Sequence, residues 1–308
     1  MLVVEELTKR YGKLTAVDNL SFIVEEGSIF GFVGPNGAGK TTTMRILATL
    51  LAPNSGRAWI AGEEVTDNPR RVRQLMGYMP DFFGVYDDLK VGEYLDFYGA
   101  SYGIPAAQRR RIADDLLELV DLAHKREAYV DSLSRGMKQR LCLARSLVHD
   151  PLLLLLDEPA SGLDPRARFE MRELLKELQH MGKTIIISSH ILPELAEMCT
   201  HVGIIEAGQL VANGTIDEIT HLVQSGMALE IKVLERGQEA RDILENHFGL
   251  TGIDGSENHF QVPFGGDEED LSRILTALVG SGIPVVSFAE STNNLEDIFM
   301  QVTRGVVQ

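Results

Sequence analysis

A glycine-rich octapeptide at residues 34–41 limits the folds open to this chain more than any other segment does. Its sequence is Gly-Pro-Asn-Gly-Ala-Gly-Lys-Thr. It fits the pattern G-x-x-x-x-G-K-[ST], in which the backbone amides of a loop surround phosphate groups. The pattern is informative when a strand precedes the loop and a helix follows it. Residues 28–33 (SIFGFV) are apolar and suit a strand, and residues 42–50 suit a helix. The context therefore favours a phosphate-binding loop over a glycine-rich turn that fits the pattern by chance.

Each residue type in this loop has a physical role in holding phosphate. Gly34, Gly37 and Gly39 allow backbone conformations that direct several N–H groups toward one anion. The helix beginning near Lys40 adds unpaired N–H groups and the positive end of its dipole. The Lys40 ammonium is expected to reach the β- and γ-phosphates, and the Thr41 hydroxyl to hold Mg²⁺.

Length and composition indicate a globular protein of two domains, one larger than the other. The chain has 308 residues, of which 44% are hydrophobic and 24% are charged, as is ordinary for soluble globular proteins. Its formal net charge of −16 argues against wrapping nucleic acid or adhering to anionic lipid, because both require a basic face. Cys142 and Cys199 lie far apart and outside any C-x-x-C pattern, which suits a reducing cytosol and indicates no metal site.

Apolar runs in the sequence are too short for a membrane span. None approaches the roughly 18 residues that cross a bilayer, and the longest tidy run is residues 152–156. Charges follow Met1 too soon for a secretory signal peptide. We therefore expect a chain that does not span a membrane itself but can lie against one through a partner.

The N-terminal part of the chain is predicted to be rich in strands. Apolar runs predict antiparallel β-structure over residues 1–33, with a turn at Tyr11. Further short strands are expected at residues 57–60, 62–65 and 76–79. Because Tyr11 is one strand away from the phosphate loop, its ring is a candidate for stacking on a base. The alternative is an ordinary turn aromatic on a hydrophobic edge.

The pattern changes to a helical period from about residue 85 to residue 149. Ile112, Leu116, Leu119 and Val120 recur at the spacing of one helix face. This predicts an all-helical insertion within an α/β domain.

A second candidate anion site closes the helical region. Ser134 is a suitable N-cap for the helix that follows it. Together with Gly136 and the unpaired N–H groups of the first turn, its hydroxyl can bind an anion. An ordinary capped helix is the alternative interpretation.

The five leucines at residues 152–156 predict a strand that is buried on both faces. Asp157 and Glu158 follow at its C-terminal end, where open α/β sheets bind ligands. We expect Asp157 to hold Mg²⁺, directly or through water, and Glu158 to orient and polarise the attacking water. His190 follows the next predicted buried strand, residues 184–189, and on position alone a functional role and a structural one are equally open.

The organisation changes again near the C-terminus. Residues 215–223 are predicted to be helical. Beyond them the predicted order is β-α-β-β-α-β, which suggests a small ferredoxin-like unit with an extra helix at residues 295–302. Its two middle strands are expected at residues 251–253 and 258–263.

Taken together and in this order, the motifs resemble those of the ATP-binding-cassette (ABC) ATPases, the nucleotide-binding subunits of transporters. The resemblance covers about residues 1–220. Residues 34–41 resemble the family's Walker A loop, and residues 133–137 (LSRGM) resemble its signature, usually LSGGQ. Residues 152–157 resemble Walker B, with Glu158 as the catalytic glutamate.

The remaining family motifs are matched at single positions. Residues 161–164 resemble the D-loop, His190 resembles the switch histidine, and Tyr11 matches the aromatic that stacks on adenine. Three positions depart from the commonest pattern. Arg135 and Met137 replace a glycine and the glutamine of the signature. Asp81 occupies the place of the Q-loop glutamine, with a shorter reach and a negative charge.

The resemblance implies a fold and a set of site residues. The fold is an α/β P-loop NTPase core (residues 1–220) with an antiparallel β subdomain and a helical subdomain at about residues 85–149. Residues 225–308 resemble the small α+β, ferredoxin-like accessory domain of ABC-2-type exporters. The implied catalytic residues are Glu158, His190 and Lys40. The implied Mg²⁺ contacts are Thr41, Asp157 and Asp81. The implied ATP contacts are Tyr11, Gly34, Pro35, Asn36, Gly37, Ala38, Gly39, Lys40, Thr41, Thr42, Ser134, Gly136 and Asp164.

The resemblance also implies partners. Two copies would form a head-to-tail dimer, in which the Walker A loop of one copy and Ser134 and Gly136 of the other hold the same ATP. Hydrolysis would drive separate integral-membrane permease subunits, for export, from the cytoplasmic face. The alternatives are a soluble ABC ATPase acting on ribosomes or DNA, and a nucleotide switch that hydrolyses little. The single cassette and the net charge of −16 argue against the first, and Glu158 argues against the second.

Overall fold

The computed structural model describes residues 1–81, 88–219, 228–264 and 266–291. The chain divides into two compact units, and the division falls between Ile216 and Asp217. Within these described ranges, no helix combines the length and the apolar composition needed to cross a membrane.

An antiparallel sheet opens the first unit, with the spatial order β2-β1-β4-β5. Its strands are β1 (Leu2–Tyr11), β2 (Leu14–Val24), β4 (Ser55–Ile60) and β5 (Glu63–Glu64). Strands β1 and β2 form a hairpin in which Tyr11 pairs with Leu14. The hairpin turn carries Tyr11 to one end of the sheet.

A six-stranded sheet forms the centre of the first unit, with the order β10-β9-β3-β8-β7-β6. Its strands are β3 (Ile29–Val33), β6 (Met76–Met79), β7 (Leu153–Asp157), β8 (Thr184–Ser189), β9 (His201–Glu206) and β10 (Gln209–Thr215). All neighbours are parallel except β10 and β9. Parallel strands place their carboxyl ends at one edge, so the residues that follow β3, β7 and β8 come together there.

One prediction about β3 is wrong. Residues 29–33 do not belong to the antiparallel sheet but pair in parallel with β8 and β9. All five residues of β3 are buried, and this continuous burial is typical of a central parallel strand covered on both faces.

Three of the helices of the first unit are consecutive in the sequence. Helix α1 follows β3, whereas α3, α4 and α5 lie in the sequence between β6 and β7 and form the predicted helical insertion. The bounds are α1 (Lys40–Leu47), α2 (Pro69–Leu75), α3 (Val91–Ser101), α4 (Ala106–Leu119), α5 (Arg135–Leu147), α6 (Pro165–His180) and α7 (Leu192–Ala196). Short 3₁₀ turns occur at Ala123–Lys125 and Val130–Ser132. The predicted combination of α/β core, antiparallel sheet and helical insertion is confirmed.

Aromatic packing joins the two sheets next to the phosphate loop. The ring of Phe22 on β2 stacks on Phe30 and on Phe32 of β3, with centroids 5.5 Å apart in each pair. All three side chains are buried. Burial of a phenylalanine side chain contributes about 1.5–3 kcal/mol, so this cluster anchors the strand from which the loop begins.

The second unit has the predicted element order, β-α-β-β-α-β. Its elements are β11 (Ala228–Val233), α8 (Gly237–Phe248), β12 (Asp254–Ser256), β13 (His259–Pro263), α9 (Glu268–Gly280) and β14 (Val285–Ser291). The antiparallel sheet has the order β12-β13-β11-β14, and Leu229, Ile231 and Val233 contribute to its core.

Near the unit boundary and the C-terminus, one predicted strand is displaced and two predicted helices lie partly or wholly outside the described residues. The strand predicted at residues 251–253 is instead at Asp254–Ser256, because β12 pairs with β13 across a tight turn and the register of that hairpin sets its bounds. Residues 216–219 are helical, and the rest of the helix predicted at 215–223 lies outside the described residues. The helix predicted at 295–302 also lies outside them.

Candidate active site

The loop between β3 and α1 has a backbone that accepts only glycine at two positions. Gly39 has a φ of +107°, and a Cβ there would lie 2.4 Å from the carbonyl oxygen of Ala16. A Cβ at Gly34 would lie 2.3 Å from the carbonyl oxygen of Ile205. Gly37 has a φ of +85°. These conformations let the loop turn tightly at the N-terminus of α1, where backbone N–H groups are available to an anion.

Lys40 is the first residue of α1, and its side chain is only 6% exposed. Its Nζ donates to the carbonyl oxygens of Gly34 at 2.6 Å and Pro35 at 3.2 Å. It also lies 3.8 Å from Oε1 of Glu158. Burial lowers the pKa of Lys40, and the carboxylates of Glu158 and Asp157 act in the opposite direction. The ammonium is therefore held inside the loop by oxygen atoms that a phosphate group can replace.

A cavity of about 460 Å³ opens beside the loop, within the size range of small-molecule sites. Its lining brings together most of the predicted site residues. They are Tyr11, Leu14, Ala16, Asn36, Gly37, Ala38, Gly39, Lys40, Thr41, Thr42, Asp81, Glu158, Ser161 and His190.

Asp157 ends β7 and is fully buried. Its Oδ1 accepts hydrogen bonds from Ser188 Oγ at 2.6 Å and from Thr41 Oγ1 at 3.2 Å. Its Oδ2 is buried and has no hydrogen-bond partner among the described residues. Burial raises the pKa of Asp157, and the two hydroxyl donors oppose that rise. A buried carboxylate oxygen without a donor, beside a threonine hydroxyl, is the kind of ligand that Mg²⁺ takes.

Glu158 adopts a left-handed backbone conformation with φ +51°, which is uncommon outside glycine. Its N–H donates to Ser188 Oγ at 3.0 Å. Its carboxylate lies 3.0 Å from His190 Nδ1 and 3.8 Å from Lys40 Nζ. Burial raises the pKa of Glu158, and His190 and Lys40 oppose that rise. A carboxylate with a raised pKa is a stronger base than an exposed one, so Glu158 is equipped to accept a proton from water.

Asp81 follows β6 and lines the same cavity. It is exposed, and its charge raises the pKa of Asp157. Two carboxylates therefore face the region where a metal ion would bind next to Thr41.

Tyr11 lies at the end of β1 and lines the cavity together with Leu14. Its side chain is 46% exposed, and Lys9 Nζ lies 5.5 Å from the ring centroid. The exposed ring offers a flat surface to a planar base.

Besides Gly34 and Pro35, which belong to the phosphate loop itself, three predicted nucleotide contacts lie outside the cavity lining of their own chain. Ser134 caps α5, where its Oγ accepts the N–H of Met137 at 3.3 Å, and Gly136 lies in the first turn. Asp164 caps α6 by accepting the N–H of Ala167 at 2.9 Å. The structure does not bring these residues together with the phosphate loop of the same chain.

The sequence analysis assigned no role in the site to four of its residues. Leu14, Ala16 and Ser161 line the cavity, although Ser161 was included in the motif that resembles the D-loop. Ser188 contacts both Asp157 and Glu158. A detectable signal existed for Ser188, because a hydroxyl in an otherwise apolar buried strand (TIIISS) needs a buried partner.

Comparisons with known proteins identify family matches for both parts of the chain. Residues 17–161 match the family described as ABC transporter, and residues 214–303 match the family described as ATP-binding protein DrrA1-3-like, C-terminal domain. A Nod factor export ATP-binding protein I of Cupriavidus metallidurans is 36% identical over 98% of this chain and 97% of its own length. The bacitracin transport ATP-binding protein BcrA of Bacillus licheniformis is 36% identical over 97% of this chain and 96% of its own.

Solved structures share the fold of the first unit. An ATP-binding subunit of an ABC transporter superposes with a TM-score of 0.66 at 30% identity, covering 72% of this chain and 92% of that one. The bacterial ABC transporter cassette MJ0796, solved as a dimer, has a TM-score of 0.64 at 23% identity and covers 70% of this chain and 99% of that one. With relatives above 30% identity over nearly the full length, this chain belongs to the ABC transporter family as an ATP-binding ATPase subunit of the exporter group.

Proposed function

We propose that this chain hydrolyses ATP in a Mg²⁺-dependent reaction and that this reaction drives a separate membrane permease. The observation that supports the reaction most directly is the position of Glu158. Its carboxylate lies between the Lys40 ammonium, at 3.8 Å, and the His190 imidazole, at 3.0 Å. The Lys40 ammonium, the Glu158 carboxylate with its raised pKa and the His190 imidazole thus line one cavity.

Mg²⁺ is proposed as the cofactor because the residues present suit it. Asp157 Oδ2, without a partner among the described residues, and the Thr41 hydroxyl are the proposed protein ligands. Asp81, which follows the neighbouring parallel strand β6, is proposed as an additional contact. Bound Mg²⁺ would supply positive charge that offsets the charge of the phosphate oxygens.

Glu158 is proposed to orient and polarise the water that attacks the γ-phosphate. Burial raises its pKa, which favours acceptance of a proton. His190 Nδ1 lies 3.0 Å from the Glu158 carboxylate, to which it can donate a hydrogen bond. His190 is also proposed to contact the γ-phosphate, which keeps carboxylate and water in line. Lys40, already placed among loop carbonyls, is proposed to exchange these for phosphate oxygens.

Two copies of the chain are proposed to close on each ATP. The first turn of α5, with Ser134 and Gly136, lies outside the cavity lining of its own chain, which suits it for nucleotide bound to another copy. Closure then depends on ATP by mass action, and hydrolysis releases it. The cassette MJ0796, whose fold this chain shares, was solved as a dimer.

The partner of this dimer is proposed to be a permease that this chain lacks. The two relatives above are described as export and transport ATP-binding proteins. We infer that this chain supports export, as the description of the first relative states for that protein. The chain would act on the cytoplasmic face of the membrane, where ATP is supplied. A role on ribosomes or DNA finds no support in these relatives, and the net charge of −16 opposes it. Residues 1–220 are proposed as the motor domain and residues 225–308 as its accessory domain.

The proposal is tested with the Glu158→Gln variant of the full chain. Gln keeps the size of the side chain but is a far weaker base, so ATP hydrolysis should fall by about 10²–10⁴-fold. The variant should still bind ATP and, because the bond is not cleaved, should accumulate as a dimer in light scattering. Glu118→Gln, at an exposed residue of α4, is the matched control and should leave both properties unchanged. Full hydrolysis by Glu158→Gln, or a strictly monomeric ATP-loaded variant, contradicts the proposal.

A further inference from the structure

Ser161 is the point where α5 meets the turn that follows Glu158. Its carbonyl oxygen accepts hydrogen bonds from Arg135 Nη2 at 3.0 Å and from Gln139 Nε2 at 3.1 Å. Its N–H donates to the carbonyl oxygen of Glu158 at 3.1 Å. One residue of the turn thereby connects the first turns of α5 to the backbone of the proposed catalytic carboxylate.

The turn is shaped to receive the arginine side chain. Gly162 has a φ of +66°, and a Cβ there would lie 2.4 Å from Cζ of Arg135 and 2.5 Å from its Nη1. The guanidinium therefore lies directly against glycine backbone, where any other residue would displace it. Gln139, the second donor to the same carbonyl, is 3% exposed, so its bond is shielded from competing water.

The backbone of Glu158 depends on this support. Its left-handed conformation, φ +51°, is unfavourable for a glutamate and persists only where neighbouring groups hold it. Two groups do so: Ser188 Oγ accepts its N–H at 3.0 Å, and Ser161 donates to its carbonyl oxygen at 3.1 Å. A shift of Ser161 would therefore turn the carboxylate away from Lys40 and His190.

We propose that Arg135 is a positioning residue for ATP hydrolysis, which acts through Ser161 to hold the turn that orients Glu158. Arg135 stands between Ser134 and Gly136, which the proposed function places on the nucleotide of the partner copy. Docking of α5 on that nucleotide then also holds Glu158 of the same chain in position. ATP bound at one site thereby raises the rate of hydrolysis at the other. This inference rests on the proposed roles of Glu158 and of the two-copy ATP site.

A different role for Arg135 would leave a different kinetic signature. If its guanidinium bound the phosphates across the dimer directly, its loss would weaken ATP binding and raise KM. A residue that acts only through Ser161 and Glu158 should change kcat while KM stays within about twofold, because ground-state contacts to ATP are retained. The two roles are therefore separated by steady-state kinetics.

The experiment compares Arg135→Met and Arg135→Lys in the full chain. Methionine fills similar space without a donor, so kcat for ATP hydrolysis should fall about tenfold, as expected when a catalytic group is displaced by a fraction of an ångström. Lysine can donate to Ser161 and should restore part of the rate. ATP-dependent dimerisation in the Glu158→Gln background should persist with Arg135→Met. An unchanged kcat, a loss confined to KM, or loss of that dimerisation overturns the inference.

A second arm tests the contact with Gly162. Gly162→Ala in the wild-type background pushes a Cβ into the guanidinium and should lower kcat more than the same change made in Arg135→Gly, where that space is empty. The backbone strain of alanine at this φ is common to both backgrounds and cancels in the comparison. Equal losses in the two backgrounds would show that the guanidinium plays no part.

Two controls separate this inference from the proposed function. Arg111→Met, at an arginine of α4 whose side chain is 87% exposed, should hydrolyse ATP at the wild-type rate. Glu158→Gln should abolish hydrolysis in the same assay. If Glu158→Gln is inactive while Arg135→Met is fully active, only the inference about Arg135 fails; if Glu158→Gln is active, the proposed function fails with it.

Discussion

Ser188 Oγ donates to Asp157 Oδ1 at 2.6 Å while accepting the backbone N–H of Glu158 at 3.0 Å. The contact follows from the parallel pairing of β7 and β8, which places Asp157 opposite Ser188. One hydroxyl thus supports both acidic residues at the end of β7. Because Oδ1 is already engaged, Oδ2 is the oxygen that remains for a metal ion.

Ser188→Ala should therefore impair Mg²⁺ use and stability together. The substitution leaves the Glu158 N–H unpaired and removes one of the two bonds that hold Oδ1 of Asp157. The carboxylate can then rotate, which would turn Oδ2 away from the metal position. Removing one partner of such buried bonds costs about 1–3 kcal/mol. We expect a lower melting temperature and a higher Mg²⁺ concentration for half-maximal ATP hydrolysis.

The matched control is Ser189→Ala on the same strand. Ser189 Oγ accepts the N–H of Ile191 at 3.0 Å and does not appear in the bonds of Asp157. Its Mg²⁺ dependence should match that of the wild type. If Ser188→Ala shows the wild-type Mg²⁺ dependence as well, Ser188 does not orient the metal ligand.

Asp81 should oppose ATP binding without Mg²⁺ and favour it with Mg²⁺. Its charge raises the pKa of Asp157, so the two carboxylates already repel each other and would both repel phosphate. Asp81→Asn removes one charge, worth about 1 kcal/mol at 4 Å in a watery environment. In EDTA the variant should bind ATP several-fold more tightly, whereas the gain in affinity on adding Mg²⁺ should shrink.

A fluorescent ATP analogue titrated with and without Mg²⁺ measures both effects. Asp88→Asn, at an exposed aspartate outside the cavity lining, controls for the change in net charge. Affinities that move in the same direction under both conditions would mean that Asp81 does not contribute to metal binding.

Tyr11 should contribute to ATP affinity through its ring and not through its hydroxyl. The ring is 46% exposed and lines the cavity. Stacking of a base on an aromatic side chain is worth about 1–3 kcal/mol, so Tyr11→Ala should raise the dissociation constant by about fivefold or more. Tyr11→Phe should bind normally. Equal affinities for Tyr11→Ala and the wild type would place the base elsewhere.

Local sequence patterns predicted the parts of this protein that depend on neighbouring residues. The phosphate loop is such a part, since Gly34, Gly39 and Lys40 fulfil their roles within one strand–loop–helix segment. The capping of α5 by Ser134 is another. Helix α2 was missed although Asn68 and Pro69 carry its start signals, an N-cap that accepts the N–H of Arg71 and a proline at the first turn.

Features that depend on pairing between distant segments could not be predicted. Which sheet receives residues 29–33 is decided by β8 and β9, more than 150 residues further along the chain, and not by the apolar run itself. The same holds for the bond of Ser188 to Asp157 and for the contact of Arg135 with Ser161. No local pattern indicates the left-handed conformation of Glu158, because it is imposed by these tertiary contacts.

His149 should make folding stability depend on pH. Its Nε2 contacts the carbonyl oxygen of Met76 at 3.0 Å, its ring stacks on Tyr102 at 3.8 Å, and its Nδ1 is buried without a partner among the described residues. Burial lowers the pKa of His149 from 6.5. Protonation would place a charged N–H at Nδ1 with no acceptor, which gives that shift a structural cause.

The sign of the effect follows from proton uptake. Below pH 6.5 the unfolded chain binds a proton at His149 that the folded chain does not yet bind. The contribution of His149 to the free energy of unfolding is therefore complete above this pH and is lost as the pH falls toward the pKa of the folded chain. One proton changes the free energy of unfolding by up to about 1.4 kcal/mol per pH unit.

His149→Phe keeps the stacking on Tyr102 but cannot titrate. Between pH 6.5 and about 5, urea unfolding should therefore show a shallower loss of stability in the variant. His124→Phe, at an exposed histidine, should retain the wild-type slope, and identical slopes for all three proteins would mean that His149 is protonated equally in the folded and unfolded chain.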